Sequence, residues 1–235
     1  MVYEKECMVK KINTYKLVIW DLDGTLYYQR AFRLKMALVM LSKLLLRPSR
    51  WRELAVILTY RRIREEWNPD DFGEGLEERQ YMVCGERCGM SGQKVRQLIE
   101  QWMLKEPLDH LKLYRDDQAA ELIARLSRAG IVNVVYSDYP TRDKLKALNI
   151  QAERQFCSSD IEINCMKPNP RGIQYILKSM KIKSEDTLII GDRMEKDGEA
   201  AKAAGVDYLI LKKTKKGRKV QYKEILQQIQ EQGWR

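Results

Sequence analysis

Two carboxylates, Asp21 and Asp23, directly follow an apolar run in the stretch "LVIWDLDGTL", residues 17–26. Like charges at this spacing repel each other, and burying them is unfavourable unless a positive group balances them. The rest of the chain should therefore contain cationic or metal-binding partners for these two acids.

Further polar residues stand at the ends of later apolar runs or just before a helix. They are Ser137 and Asp138 after "IVNVVY", Lys167 before Pro168, and Asp192 and Asp197 after "TLIIG". If these runs are parallel strands, their carboxyl ends meet at one edge of a sheet, where ligands bind in open α/β folds. The pattern predicts one site built from carboxylates, a hydroxyl and an amine.

Carboxylates grouped in this way suit Mg²⁺, which takes oxygen ligands from acids, water and phosphate. We expect Asp21 and Asp192 to be direct ligands. Asp23 should share a face with Asp21, because side chains at i and i+2 of a strand do so. Its side chain is then placed to act as acid and base, while its backbone carbonyl meets the metal.

The same set of residues also suits a phosphate group. The ammonium of Lys167 would balance both the carboxylates and a bound phosphate. The hydroxyl of Ser137, with the backbone N–H groups that follow it from Asp138 on, would bind phosphoryl oxygens. Together these groups could bind a phosphate.

Strands and helices must alternate to place these residues. Apolar runs predict strands at 16–20, 131–136, 155–157, 187–190 and 208–211. Helical periodicity falls at 116–128, 141–148, 170–180, 195–204 and 222–232. Continuous apolar strands alternating with helices indicate an α/β fold, a Rossmann-like doubly wound parallel sheet covered on both faces.

One long segment lacks strands. Residues 30–112 read as helices at 32–46, 48–67, 76–88 and 91–104, with a loop at 68–75. We therefore predict an α/β core from residues 1–29 and 113–235, with a helical cap domain at 30–112 inserted after the first acidic pair. Arg79 and Arg87 in this insert are candidates to meet an anionic substrate.

Composition limits the function classes. The net charge of +10 favours anionic ligands, and basic residues concentrate at 47–64 and 212–219. Neither patch has the interleaved aromatic residues of a single-strand binder, so nucleic acid is disfavoured as a partner. A non-catalytic basic protein that binds nucleic acid or an acidic partner stays as an alternative.

Apolar run lengths and cysteine spacing predict the protein's location and the redox state of its cysteines. No apolar run is long enough for a membrane span, and the first residues do not resemble a secretory signal. The five cysteines are irregularly spaced, which favours reduced thiols in a cytoplasmic protein without membrane partners. A zinc site from Cys84, Cys88, Cys157 and His110 is the alternative interpretation.

Taken in order, the motifs resemble those of the haloacid dehalogenase-like (HAD) superfamily. They are "DLDGT" at 21–25, the serine of "VVYSD" (Ser137), the lysine of "MKPNP" (Lys167), and "IIGDRMEKDG" with Asp192 and Asp197. The helical insert resembles the type 1 cap of that superfamily, as in its phosphoglycolate phosphatase-like subgroup.

The resemblance implies phosphoryl transfer through an aspartyl-phosphate. Asp21 would be the nucleophile, and Asp23 the acid and base. Ser137, Asp138 and Lys167 would hold the phosphate, with Gly24 and Thr25 as further candidates, although Thr25 also suits a turn-capping role. The metal site would take Asp21, Asp23 and Asp192, with Asp197 as an outer or ligand-orienting acid.

The predicted function is a Mg²⁺-dependent phosphatase of a small phosphorylated metabolite, working as a monomer or homodimer. A phosphotransferase or phosphomutase on the same core is the main alternative. Asp23 argues against dehalogenation, because superfamily members that act on haloacids lack an acid at this position: a carbon–halogen bond needs no protonated leaving group.

Overall fold

The computed structural model describes residues 10–45, 51–68, 70–71 and 75–230. Five parallel strands form one sheet in the order β3-β2-β1-β4-β5. They are β1 (Leu17–Trp20), β2 (Val132–Ser137), β3 (Arg154–Cys157), β4 (Thr187–Gly191) and β5 (Asp207–Ile210). The predicted doubly wound parallel sheet is confirmed, and the first strand lies at its centre.

The segment between β1 and β2 is helical. It contains α1 (Gln29–Leu45), α2 (Trp51–Glu66), α3 (Leu76–Cys88), α4 (Gly92–Ile99) and α5 (Leu108–Leu111). The hydroxyl of Ser91 caps α4 by accepting a hydrogen bond from the N–H of Lys94, and the helix continues as a π-helix over Glu100–Lys105. These helices bury an apolar cluster of their own, which includes Tyr60, Tyr81 and Ile99.

Five helices cover the sheet: α6 (Asp117–Arg128), α7 (Arg142–Leu148), α8 (Arg171–Met180), α9 (Glu199–Ala204) and α10 (Lys215–Gln230). Alternate residues of β1 face opposite sides of the sheet. Val18 and Trp20 join the apolar cluster beneath α6, α7 and α10, whereas Leu17 and Ile19 join the cluster beneath α8 and α9. Burial on both faces explains why the strands are apolar without alternation.

Two sequence predictions are corrected by the structure. Strand β1 ends at Trp20, so Asp21 and Asp23 lie in the following loop, and strand alternation does not decide where they point. Helix α10 begins at Lys215, earlier than the predicted residue 222, and this earlier start brings Arg218 into the protein interior. Predicted helix positions 46, 48–50 and 231–232, and predicted loop positions 69 and 72–74, lie outside the described residues.

Across the residues that the structure covers, no helix combines the length and apolar character that crossing a membrane requires.

Candidate active site

The register of the sheet brings the predicted residues to one edge. Trp20 pairs with Val135 on one side and with Ile190 on the other, so the residues just beyond these three lie side by side. The N–H of Asp21 donates to the carbonyl of Ile190 (2.9 Å), which fixes the loop to β4. The chain runs from β1 to β2 on one side and later returns to β4 on the other, which leaves a ligand-binding crevice at β1.

Lys167 lies between two carboxylates at this crevice. Its Nζ is 2.6 Å from an oxygen of Asp21 and 2.6 Å from an oxygen of Asp197, and all three side chains are buried. Burial alone would lower the pKa of Lys167, but the charges of Asp197 and Asp21 more than offset this and hold that pKa well above its usual value. The ammonium of Lys167 therefore balances the charge of these two carboxylates.

Asp21, Asp192 and Asp197 each offer a carboxylate oxygen, and these oxygens lie within 4.8 Å of one another. Burial, followed by the charge of Asp197, raises the pKa of Asp192 to about 6. Burial also raises the pKa of Asp21 well above its ordinary value, although Lys167 opposes the shift. Crowded anions of this kind are stabilised by a cation, and the all-oxygen donor set suits a hard divalent ion such as Mg²⁺.

The carboxylate of Asp197 also accepts hydrogen bonds from neighbouring groups of the protein. Its Oδ2 accepts hydrogen bonds from the backbone N–H groups of Asp192 and Arg193, both at 3.2 Å. Because its Oδ1 contacts Lys167, this side chain sets the positions of Asp192 and of the lysine. The geometry favours Asp197 as an orienting acid over a direct metal ligand.

The alternative zinc site finds no support in the described part of the chain. There, the three aspartates form the sole group of acids, cysteines and histidines close enough to share a metal ion. Cys84, Cys157 and Cys165 are buried free thiols.

Asp23 faces a different set of partners from Asp21. One of its oxygens is 2.5 Å from Nζ of Lys144 and accepts a hydrogen bond from the hydroxyl of Tyr27 (2.5 Å). The other accepts from the hydroxyl of Ser137 (3.0 Å). Burial would raise the pKa of Asp23, but Lys144 and the hydrogen bonds from Lys144, Tyr27 and Ser137 lower it below its usual value. The side chain of Asp23 lies outside the group of three carboxylates that are close enough to share a metal ion.

Sequence reasoning missed Lys144 and Tyr27. Lys144 lies in the first turn of α7, which follows the loop after Ser137, and Tyr27 lies four residues after Asp23. Lys144 could have been identified from the sequence as a cation on the helix that follows β2, because that strand ends at Ser137.

Gly24 and Thr25 shape the loop that carries the two acids. Gly24 has a φ of +107°, and a Cβ on it would collide with the carboxylate of Asp192. Thr25 is fully buried and donates its hydroxyl to Asp21 (3.0 Å). Glycine at position 24 is thus needed for the close approach of Asp192. Thr25 orients Asp21 through its buried hydroxyl, which favours a structural role over phosphate binding.

Asp138 fixes the loop of Lys167. Its Oδ1 accepts hydrogen bonds from the backbone N–H of Lys167 (3.1 Å) and from the hydroxyl of Ser158 (2.5 Å). A carboxylate would repel phosphate, so any contact of Asp138 with a phosphoryl oxygen must come from its backbone.

Arg218 of α10 supports the loop that carries Asp21 and Asp23. Its guanidinium donates to the carbonyls of Gly24 and Thr25 and pairs with the buried carboxylate of Asp116 (3.3 Å). Arg218, a residue of the basic segment 212–219, is therefore buried and supports the site.

The helical insert closes over this edge of the sheet. Arg64 of α2 donates to the backbone carbonyl of Asp138, and Glu65 accepts two hydrogen bonds from Arg193 (2.9 and 3.0 Å). Arg79 and Arg87, the expected candidates for substrate binding, instead pair with acids of the insert, Asp71 and Glu66.

Comparison with known proteins identifies the family of this chain. The family model of the haloacid dehalogenase-like hydrolases matches residues 15–205. No curated protein matches the chain.

Several solved structures share the fold. YfnB of Bacillus subtilis, described as a HAD-hydrolase and bound to magnesium, is 17% identical over 84% of this chain and 86% of its own, with a TM-score of 0.57. A 2-haloacid dehalogenase from Pseudomonas syringae is 17% identical over 83% and 86%, with a TM-score of 0.58. A predicted phosphoglycolate phosphatase from Haemophilus somnus is 18% identical over 84% and 85%, with a TM-score of 0.52.

Proposed function

Because the chain belongs to the haloacid dehalogenase-like hydrolases, we propose that it is a Mg²⁺-dependent phosphatase that acts on a small phosphate monoester through an aspartyl-phosphate. The observation that carries this proposal is the second acid, Asp23, held at the mouth of the crevice by Lys144, Tyr27 and Ser137. Phosphate ester cleavage needs a proton donor for the leaving oxygen, whereas release of a halide does not.

Asp21 and Asp192 are the side chains that would hold Mg²⁺, together with the backbone carbonyl of Asp23. When bound, the ion would neutralise negative charge on the phosphoryl oxygens. The ammonium of Lys167 would neutralise the same charge, because it lies 2.6 Å from Asp21. Asp197 keeps both Lys167 and the loop of Asp192 in place.

The first chemical step joins Asp21 to the substrate. A carboxylate oxygen of Asp21 forms a bond to phosphorus as the bond from phosphorus to the leaving oxygen breaks. Asp23, whose pKa is lowered in this structure, against the effect of burial, by Lys144, first takes up a proton from solvent. It then gives that proton to the leaving oxygen, so the leaving group departs as an alcohol. Lys167 binds the equatorial oxygens, where the charge accumulates. Ser137 joins it when its hydroxyl turns from Asp23 to the phosphate.

The second step restores the enzyme. A water oxygen attacks phosphorus, Asp23 takes a proton from that water, and the bond between Asp21 and phosphorus breaks. Inorganic phosphate and a free Asp21 carboxylate result. Thr25 keeps the carboxylate of Asp21 oriented throughout, since its buried hydroxyl donates to that carboxylate.

The test is Mg²⁺-dependent release of phosphate from p-nitrophenyl phosphate. We expect turnover with Mg²⁺, none with EDTA, and none from the variant Asp21→Asn. Asp109→Asn is the matched control, because Asp109 is an exposed acid of α5. Absence of metal-dependent turnover on a broad panel of phosphate esters would contradict the proposal.

The same assay separates hydrolysis from transfer. A phosphotransferase would place phosphate on an added alcohol in preference to water, which phosphorus NMR of the products would detect. Chloride release from a chlorinated carboxylic acid, without phosphate release from esters, would instead support dehalogenation.

A further inference from the structure

A cleft lies beside Asp23, between the helical insert and the core. Apolar side chains form most of its wall, namely Phe32, Met36, Trp102, Met103, Leu104 and Leu111. Because Asp23 must reach the oxygen that leaves phosphorus, the cleft that it lines is the space in which the leaving group lies. This step rests on the proposed function.

The wall is held in shape by the insert itself. The indole N–H of Trp102 donates to Glu53 of α2 (2.7 Å), and Lys43 of α1 pairs with Glu106 and lies over the ring of Trp102. An apolar surface fixed in this way favours an apolar ligand, since each buried apolar group removes area from water.

The cleft also carries an excess of positive charge. Its charged side chains are one carboxylate, Asp23, and three cations, Arg33, Arg61 and Lys144. Lys144 is paired with Asp23. Among the residues that the structure describes, Arg33 and Arg61 have neither an ion pair nor a hydrogen-bond partner.

Arg61 is the more enclosed of the two. Its surroundings are largely removed from water, and this burial lowers the pKa of its guanidinium, with Tyr139 opposing and Arg33 adding to the shift. A partly buried guanidinium without an anion is unfavourable, and an anionic ligand would relieve it.

Neighbouring arginines of the insert behave differently. Arg64 is hydrogen-bonded to Tyr60 and Gln80, Arg79 pairs with Asp71, and Arg96 pairs with Glu78. Arg30, Arg52 and Arg62 of the insert also lack a partner among the described residues, but they are exposed. Arg61 differs from them because it is half-buried and lines the cleft.

We propose that the substrate's leaving group is an apolar alcohol bearing a second oxyanionic group, which Arg61 and Arg33 bind while the apolar wall encloses the hydrocarbon part. Asp21 and Lys167 would take the phosphate end, so the substrate would carry an anion at each end of an apolar body.

Four phosphate esters test the two features separately: ethyl phosphate has neither, phosphoglycolate has the carboxylate, benzyl phosphate has the apolar body, and carboxybenzyl phosphate has both. We expect kcat/KM to be highest for carboxybenzyl phosphate, by about tenfold or more over benzyl phosphate, as one charged hydrogen bond would give. Benzyl phosphate should in turn exceed ethyl phosphate.

Variants of the two arginines test their role. The quantity measured for each variant is the ratio of kcat/KM for carboxybenzyl phosphate to kcat/KM for benzyl phosphate. In Arg61→Gln this ratio should fall close to one, through a higher KM for the carboxylated ester. Arg33→Gln should lower it as well, and Arg33 is exposed, so this variant keeps the test valid if Arg61→Gln does not fold. Arg62→Gln, an exposed neighbour on the same helix, should leave the ratio unchanged.

The outcomes distinguish the two proposals. Hydrolysis of all four esters at similar rates, or a ratio that survives both arginine variants, would overturn the substrate class and leave the phosphatase standing. Failure of all four esters and of p-nitrophenyl phosphate would overturn both.

Discussion

The ammonium of Lys144 lies 2.5 Å from a carboxylate oxygen of Asp23, although 121 positions separate them in the chain. Both side chains are almost enclosed, at 12% and 11% exposed. Asp21 has its own lysine, Lys167, at 2.6 Å. The two neighbouring acids are therefore balanced by separate cations from separate elements, which suits acids with separate tasks.

Replacing Lys144 by methionine should lower the free energy of unfolding by about 2 to 3 kcal/mol at pH 7, because it leaves a buried carboxylate without its counter-charge. Urea unfolding measures this. The pKa of Asp23 is lowered in the folded protein, so the pair stabilises above the ordinary aspartate pKa of about 4, and this stabilisation is lost as pH falls through the folded pKa. The difference between variant and wild type should shrink below about pH 4.

Lys146→Met is the control, since Lys146 is an exposed lysine of the same helix. We expect a change within about 0.5 kcal/mol. An equal loss of stability in both variants, at every pH, would show that the Lys144 contact with Asp23 does not stabilise the fold.

Mg²⁺ should stabilise the protein more at pH 7.5 than at pH 5. The pKa of Asp192 is raised to about 6 by burial and by Asp197, so a proton competes with the ion at the lower pH. Without metal, a raised carboxyl pKa favours the folded state at low pH, and that contribution is lost as pH rises from about 4 to about 6. Bound Mg²⁺ offsets this loss.

Melting temperatures with and without Mg²⁺ at the two pH values measure the effect. Sodium chloride at matched ionic strength is the control for general salt effects. An increase in Tm that is the same at both pH values, or that persists in Asp192→Asn, would contradict the assignment of Asp192 as a ligand.

Gly24→Ala should weaken Mg²⁺ binding by about tenfold or more, because the added Cβ would displace the carboxylate of Asp192. Gly89→Ala is the control variant: Gly89 also has a positive φ, +64°, but a Cβ there meets nothing within 4 Å. It should cost about 1 kcal/mol of stability and leave Mg²⁺ affinity unchanged. Calorimetric titration compares the two, and equal affinities would refute the role of Gly24.

Arg218→Met should destabilise the protein by about 3 to 5 kcal/mol, because Asp116 would stay buried without its cation. Adding Asp116→Asn should recover part of the loss, since asparagine still caps α6 but carries no charge. Lys219→Met, at an exposed neighbour, is the control. If the double variant were no more stable than Arg218→Met, the buried ion pair would not be the cause.

The sequence alone determined the order of strands and helices and the set of acids at the sheet edge. Apolar runs such as residues 187–190 need burial on both faces, and this local property predicts a parallel sheet wherever the run lies in the chain. Ser137, Lys167 and Asp192 could be identified for the same reason, because each follows a recognisable strand or precedes a helix.

Only the tertiary structure decided which partner each group meets. Lys144 and Arg218 are two of 43 basic residues in the chain, and nothing in their local sequence marks which acids they meet. Their roles depend on contacts between residues far apart in the chain, since Arg218 reaches Gly24 from a position 194 residues later. The pattern of side chains along one element specifies its apolar face, but how the elements pack determines where a long cationic side chain ends.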